Sequence, residues 1–182
     1  MTTPNLPPAL RAYVDETFRL LGDKDPITVL EETPSWLAAR TDHLAESVLR
    51  RPEGAGKWSI AQVLAHLADC EVVFGWRARM TLCEERPVIQ GFAQERWEDR
   101  FDYAATDPAE ALHAFATMRR WNLRVWRAAT PEDMARVGLH TERGEERCDR
   151  ALRMTAGHAL RQRRHVDRVL RAVSCGLARH GE

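Results

Sequence analysis

Four side chains have the types and the spacing of a metal site. His66 lies in K-W-S-I-A-Q-V-L-A-H-L-A-D-C-E, with Val63 and Leu67 beside it, so its imidazole sits on or beside the apolar face of a helix. Some 90 residues later, L-R-M-T-A-G-H-A-L-R-Q-R-R-H carries His158, Gln162 and His165. At about 100° per residue these three fall within about 60° of one another, and one helix face presents His, Gln and His. Imidazoles that converge from facing helices are how bundles hold metal ions. A lone histidine on an apolar face is more commonly a packed core residue; the second helix shifts the balance. Residues four apart are separated by about 6 Å along the axis and serve one ion, whereas His158 and His165 are about 10.5 Å apart. Gln162 offers an oxygen, a poorer partner than imidazole for zinc or nickel. The spacing therefore predicts a weakened or lost metal site.

Other groups surround these four. Arg161, Arg163, Arg164, Arg168 and Arg171 flank the same helix face. Most read as a solvated basic side; a pocket-facing Arg161 would pair a carboxylate of a small-molecule ligand or cofactor two-pronged. Cys70, one turn after His66, is either a thiol near a base or a packed small residue. Asp69 and Glu71 either orient a ligand imidazole from behind or face solvent. Trp76, Trp121 and Trp126 read as core or interface, and His43 as surface or interface.

The elements that must position these groups read as helices. Residues 1–7 form a loose lead, then Ala9 to Leu21 carries apolar residues at helical spacing, with Gly22 ending the run. Asp25-Pro26 starts a second segment. Pro34 is expected to interrupt it, leaving a short turn and then a helix from about Ser35 to Leu49. Ser59-x-x-Gln62 is a capping box, opening a long helix that reaches about Glu85. Pro87 to Asp102 has no clear period and crosses over the bundle. Thr106-Asp-Pro-Ala-Glu starts another helix, running to about Ala129. Pro131, Gly138 and Gly144 mark a loop, and the last helix spans about Arg147 to Val173. No segment alternates with period two, so no sheet is expected. Long helices with one long connection read as a helical bundle.

The 182 residues suit one domain, 1–182, with its core at about 35–173. Lys+Arg and Asp+Glu both number 27, so no global field draws the chain to nucleic acid or to an anionic membrane. No apolar run approaches the roughly 18–20 residues of a membrane span. Met1-Thr-Thr-Pro-Asn lacks the pattern of an export signal. The four cysteines form no C-x-x-C pair and read as free thiols in a cytoplasmic protein.

The segment W-S-I-A-Q-V-L-A-H-L-A-D-x-E, followed by L-R-x-T-A-G-H, resembles the DinB/YfiT-like superfamily over about Trp36 to Leu170. The resemblance implies an all-α, up-down-down-up four-helix bundle, here with a short extra N-terminal helix, and a homodimer. It also implies a divalent metal, zinc or nickel, held by one histidine of the long helix and two of the last. The resemblance implies that some members are thiol-dependent transferases or isomerases that use bacillithiol or mycothiol, and that many have no known activity. His66 matches the first family histidine, and His158 matches the second by its T-A-G-H context. The third is expected at position 162, where this chain has Gln162; His165 stands where the family commonly has glutamine. In a second register His165 is the third ligand and Arg161 takes the place of the second. Two functions follow as expectations: a metal-dependent transferase or hydrolase with an altered third ligand, or a non-catalytic stress-response or small-molecule-binding bundle with a metal-free site.

Overall fold

A computed structural model describes residues 6–178, with side chains described through 173. Most of the expected lead lies outside the described residues, as does the side chain of Cys175. Leu6, at its end, is buried against Val14 and Met154.

The chain begins with α1 (Pro8–Leu21), which ends at Gly22 with φ 54°. Helix α2 (Pro26–Thr41) starts at Asp25, whose carboxylate accepts the Thr28 amide at 2.7 Å. It does not break at Pro34. One continuous helix runs through the proline and stops at Thr41, and a four-residue α3 (Glu46–Leu49) follows, so the expected Ser35–Leu49 helix is corrected. A proline lacks the N–H that would bond the carbonyl four residues back. Here that carbonyl belongs to Leu30, and Arg119 Nη1 donates to it at 3.0 Å. The helix survives because a side chain from another helix satisfies what proline leaves open.

Helix α4 (Ile60–Cys83) opens on the predicted capping box: Ser59 N–H donates to Gln62 Oε1 at 2.9 Å, and Gln62 N–H donates to Ser59 Oγ at 3.3 Å. The crossing segment contains β1 (Val88–Ile89) and α5 (Gln94–Phe101). Then come α6 (Pro108–Ala128), capped by Asp107, and α7 (Pro131–Ala135). The strands β2 (Val137–His140) and β3 (Gly144–Arg147) precede α8 (Cys148–Ala178).

The expectation of no sheet is corrected by a small one of order β1-β2-β3, with β1 parallel to β2 and β2 antiparallel to β3. Its strands are too short for a visible alternation. On β2 the buried positions are Gly138 and His140, which carry no hydrophobic signal.

Helices α2, α4, α6 and α8 form the up-down-down-up four-helix bundle, with α4 packed along α6 and α2 against both α6 and α8. The long 84–107 connection lets the two middle helices run the same way. Helix α1 lies on α8, where Gly157 permits the approach: a Cβ there would collide with the Thr17 backbone. Trp126 is core, but Trp76 and Trp121 are 64% and 57% exposed and do not belong to it.

Besides the small cluster at Leu6, the core has two larger apolar clusters, one around Leu64, Phe115 and Val166, the other around Leu30, Leu123 and Ala156. Between them lies a polar layer. In it Glu71 and Arg119, both almost fully buried, pair at 2.7 and 2.9 Å, and Asn122 donates to Glu71 Oε2 at 3.0 Å. Glu71 therefore neither faces solvent nor touches a histidine ligand. Asp69 accepts the Tyr103 hydroxyl at 2.5 Å.

Candidate metal centre

The other half of the polar layer lies where α4 faces α8. His66 and Cys70 are one turn apart on α4, and the apolar run Ile60–Leu67 turns both inward. On α8, His158 and Gln162 are likewise one turn apart and buried. His66 Nε2 stands 3.2 Å from His158 Nε2, and Cys70 Sγ lies 3.4 Å from His66 Nε2. Gln162 Nε2 is 3.1 Å from His158 Nε2. The donor atoms of His66, Cys70 and His158 all lie within 4.8 Å of one another.

Aromatic rings box this cluster. Trp58 is 5.0 Å from His66 between ring centroids, Phe92 stacks on His66 at 6.2 Å, and Phe74 meets His158 edge-on at 5.4 Å. The crossing segment thus supplies the lid over His66 through Phe92, which Trp97 supports at 4.8 Å.

Burial sets the charge states. It holds His66 down at about 4, with the Arg161 charge acting in the same direction. It pushes His158 well below the ordinary histidine range, with His66 as the next cause. Burial also raises the Cys70 thiol, as does neighbouring Glu71. At neutral pH both imidazoles are therefore neutral, the form that binds metals.

Hydrogen bonding alone does not satisfy the cluster. A neutral imidazole nitrogen offers one donor or one lone pair. His158 Nε2 nevertheless faces both His66 Nε2 and the Gln162 amide, while Gln162 Oε1 is buried with no partner. Around a tetrahedral zinc, with bonds of about 2.0–2.1 Å to nitrogen and 2.3 Å to sulfur, N···N and N···S edges are roughly 3.3 and 3.6 Å. The observed 3.2 and 3.4 Å are close to those edges. Two imidazoles and one cysteine sulfur, the latter giving up its proton to the solvent as the ion binds, are a donor set that zinc accepts, with a fourth position left for substrate. The residues present fit a divalent ion.

The four sequence candidates do not all meet. His66, His158 and Gln162 converge. His165 does not: one ring nitrogen faces the Trp58 carbonyl, and Nε2 is buried without a partner in a neighbouring cavity. Arg161 lines that same cavity and pairs with Glu16 at 3.4 Å. Cys70, read from sequence as a thiol near a base or a packed residue, takes the third position as a donor. The signal available for it was H-x-x-x-C, with the spacing of the i, i+4 ligand pair.

The His66–Cys70–His158 cluster forms the floor of a cavity of about 260 Å³. Leu10, Phe74, Phe92, Trp126 and Met154 contribute apolar walls, and Arg77 and Arg143 add charge. Glu146 holds Arg143 two-pronged at 2.6 and 3.0 Å, and Arg77 donates to the Gln90 carbonyl at 2.6 Å.

Comparison with known proteins agrees with this geometry. YfiT of Bacillus subtilis, provisionally named a metal-dependent hydrolase, is 29% identical over 147 residues, covering 80% of this chain and 82% of that protein. A protein of Oceanobacillus iheyensis with the same provisional name is 28% identical over 145 residues, 77% of this chain and 81% of its own. The solved structure of Bacillus subtilis YfiT, described as having an unusual four-helix bundle topology, superposes with a TM-score of 0.75. It is 26% identical and covers 80% of this chain and 84% of that one. No helix among the described residues is long and apolar enough to cross a membrane. The family model of the DinB superfamily matches residues 30–166, and the chain belongs to that superfamily.

Proposed function

We propose that this chain is a metal-dependent enzyme, of the transferase or hydrolase kind, acting on a small molecule held in the cavity above His66, Cys70 and His158. The observation that carries this is the set of three donor atoms within 4.8 Å of one another on a cavity floor. Zinc or nickel bound there supplies Lewis acidity. The chain's own residues do the rest. Phe74, Phe92 and Trp126 exclude water and take the apolar part of the substrate. Arg77 and Arg143 stand at the cavity wall for a polar or anionic part. Glu95, which also lines the cavity and whose charge acts on His66, is the carboxylate placed to take up a proton.

The reading extends to a cytoplasmic location, where the Cys70 sulfur stays reduced and free to bind an ion, and to a second copy of the chain as partner. Val72 and Trp76 on α4 and Trp121 on α6 are exposed apolar side chains available to that copy. Sedimentation of the wild type against Trp76→Glu tests the association.

One observation favours a metal-free binding protein instead: the Gln162 amide already lies in hydrogen-bond reach of His158. Metal analysis of the purified protein and calorimetric titration of the apoprotein with zinc and nickel decide between the two. The enzyme reading expects stoichiometric metal and micromolar binding that His66→Ala and Cys70→Ser weaken or abolish. An apoprotein that gives no binding heat with either ion sinks it.

A further inference from the structure

A second cavity, of about 850 Å³, lies beside the first, lined chiefly by α8, the turn at Gly56–Trp58 and the facing sides of α1 and α5. Its lining carries six cations, Arg19, Lys57, Arg161, Arg164, Arg168 and Arg171, against three carboxylates, Glu16, Glu95 and Asp167, of which Asp167 is paired with Arg40 outside the lining. Two of the cations are paired with carboxylates, Arg161 with Glu16 at 3.4 Å and Arg168 with Glu53 at 2.6 Å. Arg19, Lys57, Arg164 and Arg171 have no ion-pair partner among the described residues. The whole chain has a formal charge of zero, so this concentration does not follow from general basicity. Like charges gathered in a concave site repel one another and focus a positive potential there.

The lining also holds two unmet polar atoms. Gln162 is 4% exposed and its Oε1 has no partner. His165 Nε2 is buried and partnerless, while the other ring nitrogen is held by the Trp58 carbonyl. Both side chains line this cavity. A neutral His165 whose other nitrogen donates to Trp58 presents a lone pair, and Gln162 Oε1 presents another. Two acceptors thus share the lining with six cations. A ligand that meets both carries hydroxyl or amino donors as well as negative charge.

We infer that this cavity binds a small-molecule polyanion, with at least two carboxylate or phosphate groups and a hydroxyl or amino group. The anionic groups lie against Arg164, Arg171 and Lys57, and the donor reaches Gln162 and His165. Gln94 and Glu95 line both cavities, and Gln162 also touches His158. A ligand anchored on the basic side therefore extends its other end toward His66 and His158. The anion site stands on its own residues; only this last step rests on the metal reading.

Trp58 lines the cavity and reports occupancy by fluorescence. The probes are citrate and pyrophosphate, titrated into wild type, His66→Ala, Arg164→Glu/Arg171→Glu and the control Arg100→Glu. Arg164, Arg171 and Arg100 are all exposed, so the folds survive. The expected result is saturable binding of at least one probe, weakened about tenfold or more by the double reversal, a loss of the size two charge contacts provide. Arg100→Glu leaves it unchanged. His66→Ala keeps the binding, which separates the anion site from chelation of a bound metal. Absence of a saturable response to both probes overturns the proposal even if zinc binds, and so does equal affinity in the double variant. Loss of the response in His66→Ala overturns it in favour of chelation. An oligonucleotide that binds this face more tightly than either probe overturns it in favour of a macromolecular polyanion.

Discussion

Cys70 and Glu71 are neighbours on α4, and they belong to two polar clusters of opposite kind. Glu71 turns toward α6, where Arg119 and Asn122 complete its hydrogen bonds and the Leu30 carbonyl takes up a remaining guanidinium donor. Cys70 turns toward α8 and lies against His66, while His66 and the Gln162 amide share one nitrogen of His158 and Gln162 Oε1 finds no partner. Both clusters are buried at the same height of the bundle. One is closed and complete, with acid and base in matched numbers; the other is rich in lone pairs and short of anything to share them. A buried polar group without a partner costs stability, so a fold that keeps several together keeps them for something else. The closed cluster holds helices together, and the open one is where a ligand belongs.

This contrast is most exposed to failure at Arg119. Truncating it to alanine leaves Glu71 as an uncompensated buried charge and frees the Leu30 carbonyl, and should cost about 3–5 kcal/mol in urea unfolding. A loss below about 1 kcal/mol would mean that the closed cluster is ornamental. His158→Ala should do the reverse. We expect zinc affinity to fall by about a hundredfold, near 2.7 kcal/mol, while the metal-free fold loses far less than Arg119→Ala does. Equal destabilisation by both variants would erase the distinction. Gln162→His supplies an imidazole four residues after His158 and should tighten zinc about tenfold. If affinity instead falls, the glutamine is itself a needed part of the donor set.

Stability should also depend on pH. Burial, with Arg143 and Arg77 adding to it, holds His140 down to about 3, and its Nε2 is partnerless. An unfolded histidine titrates near 6.5. Between those values the unfolded chain binds a proton that the folded one refuses, so stability falls as pH drops below about 6.5. The slope from this group is at most about 1.4 kcal/mol per pH unit. His66, held at about 4, adds slope of the same sign in the metal-free protein. Unfolding curves at pH 7 and pH 5 should show the loss, and His140→Phe should reduce it. A protein equally stable at both values contradicts this.

The closed cluster was the harder of the two to see in the sequence. Helix α4 was legible because its start is local chemistry, the Ser59–Gln62 box, and its inward face is a periodic stripe. His66 and His158 were legible through their motif contexts. The path of α2 through Pro34 was not, because the group that permits it comes from Arg119, 85 residues away. Nor was the sheet: strands of two to four residues leave no pattern, least of all when the central one buries glycine and histidine and its neighbour β3 buries Glu146. Cys70 was visible as a residue but ambiguous in role, since a small packed side chain and a ligand share the same spacing. Local rules reach caps and stripes; they do not reach partners set by tertiary packing.

The proline in α2 has a kinetic consequence. The Leu30 carbonyl, the Glu71 carboxylate and the Arg119 guanidinium sit on three different helices, and none has its full set of bonds until all three have docked. Such a junction gains nothing from partial assembly. It should form on the native side of the folding barrier, so that weakening it accelerates unfolding while leaving the folding rate nearly untouched. By that account Pro34, tolerated only once Arg119 has arrived, makes the persistence of the folded state depend on one guanidinium.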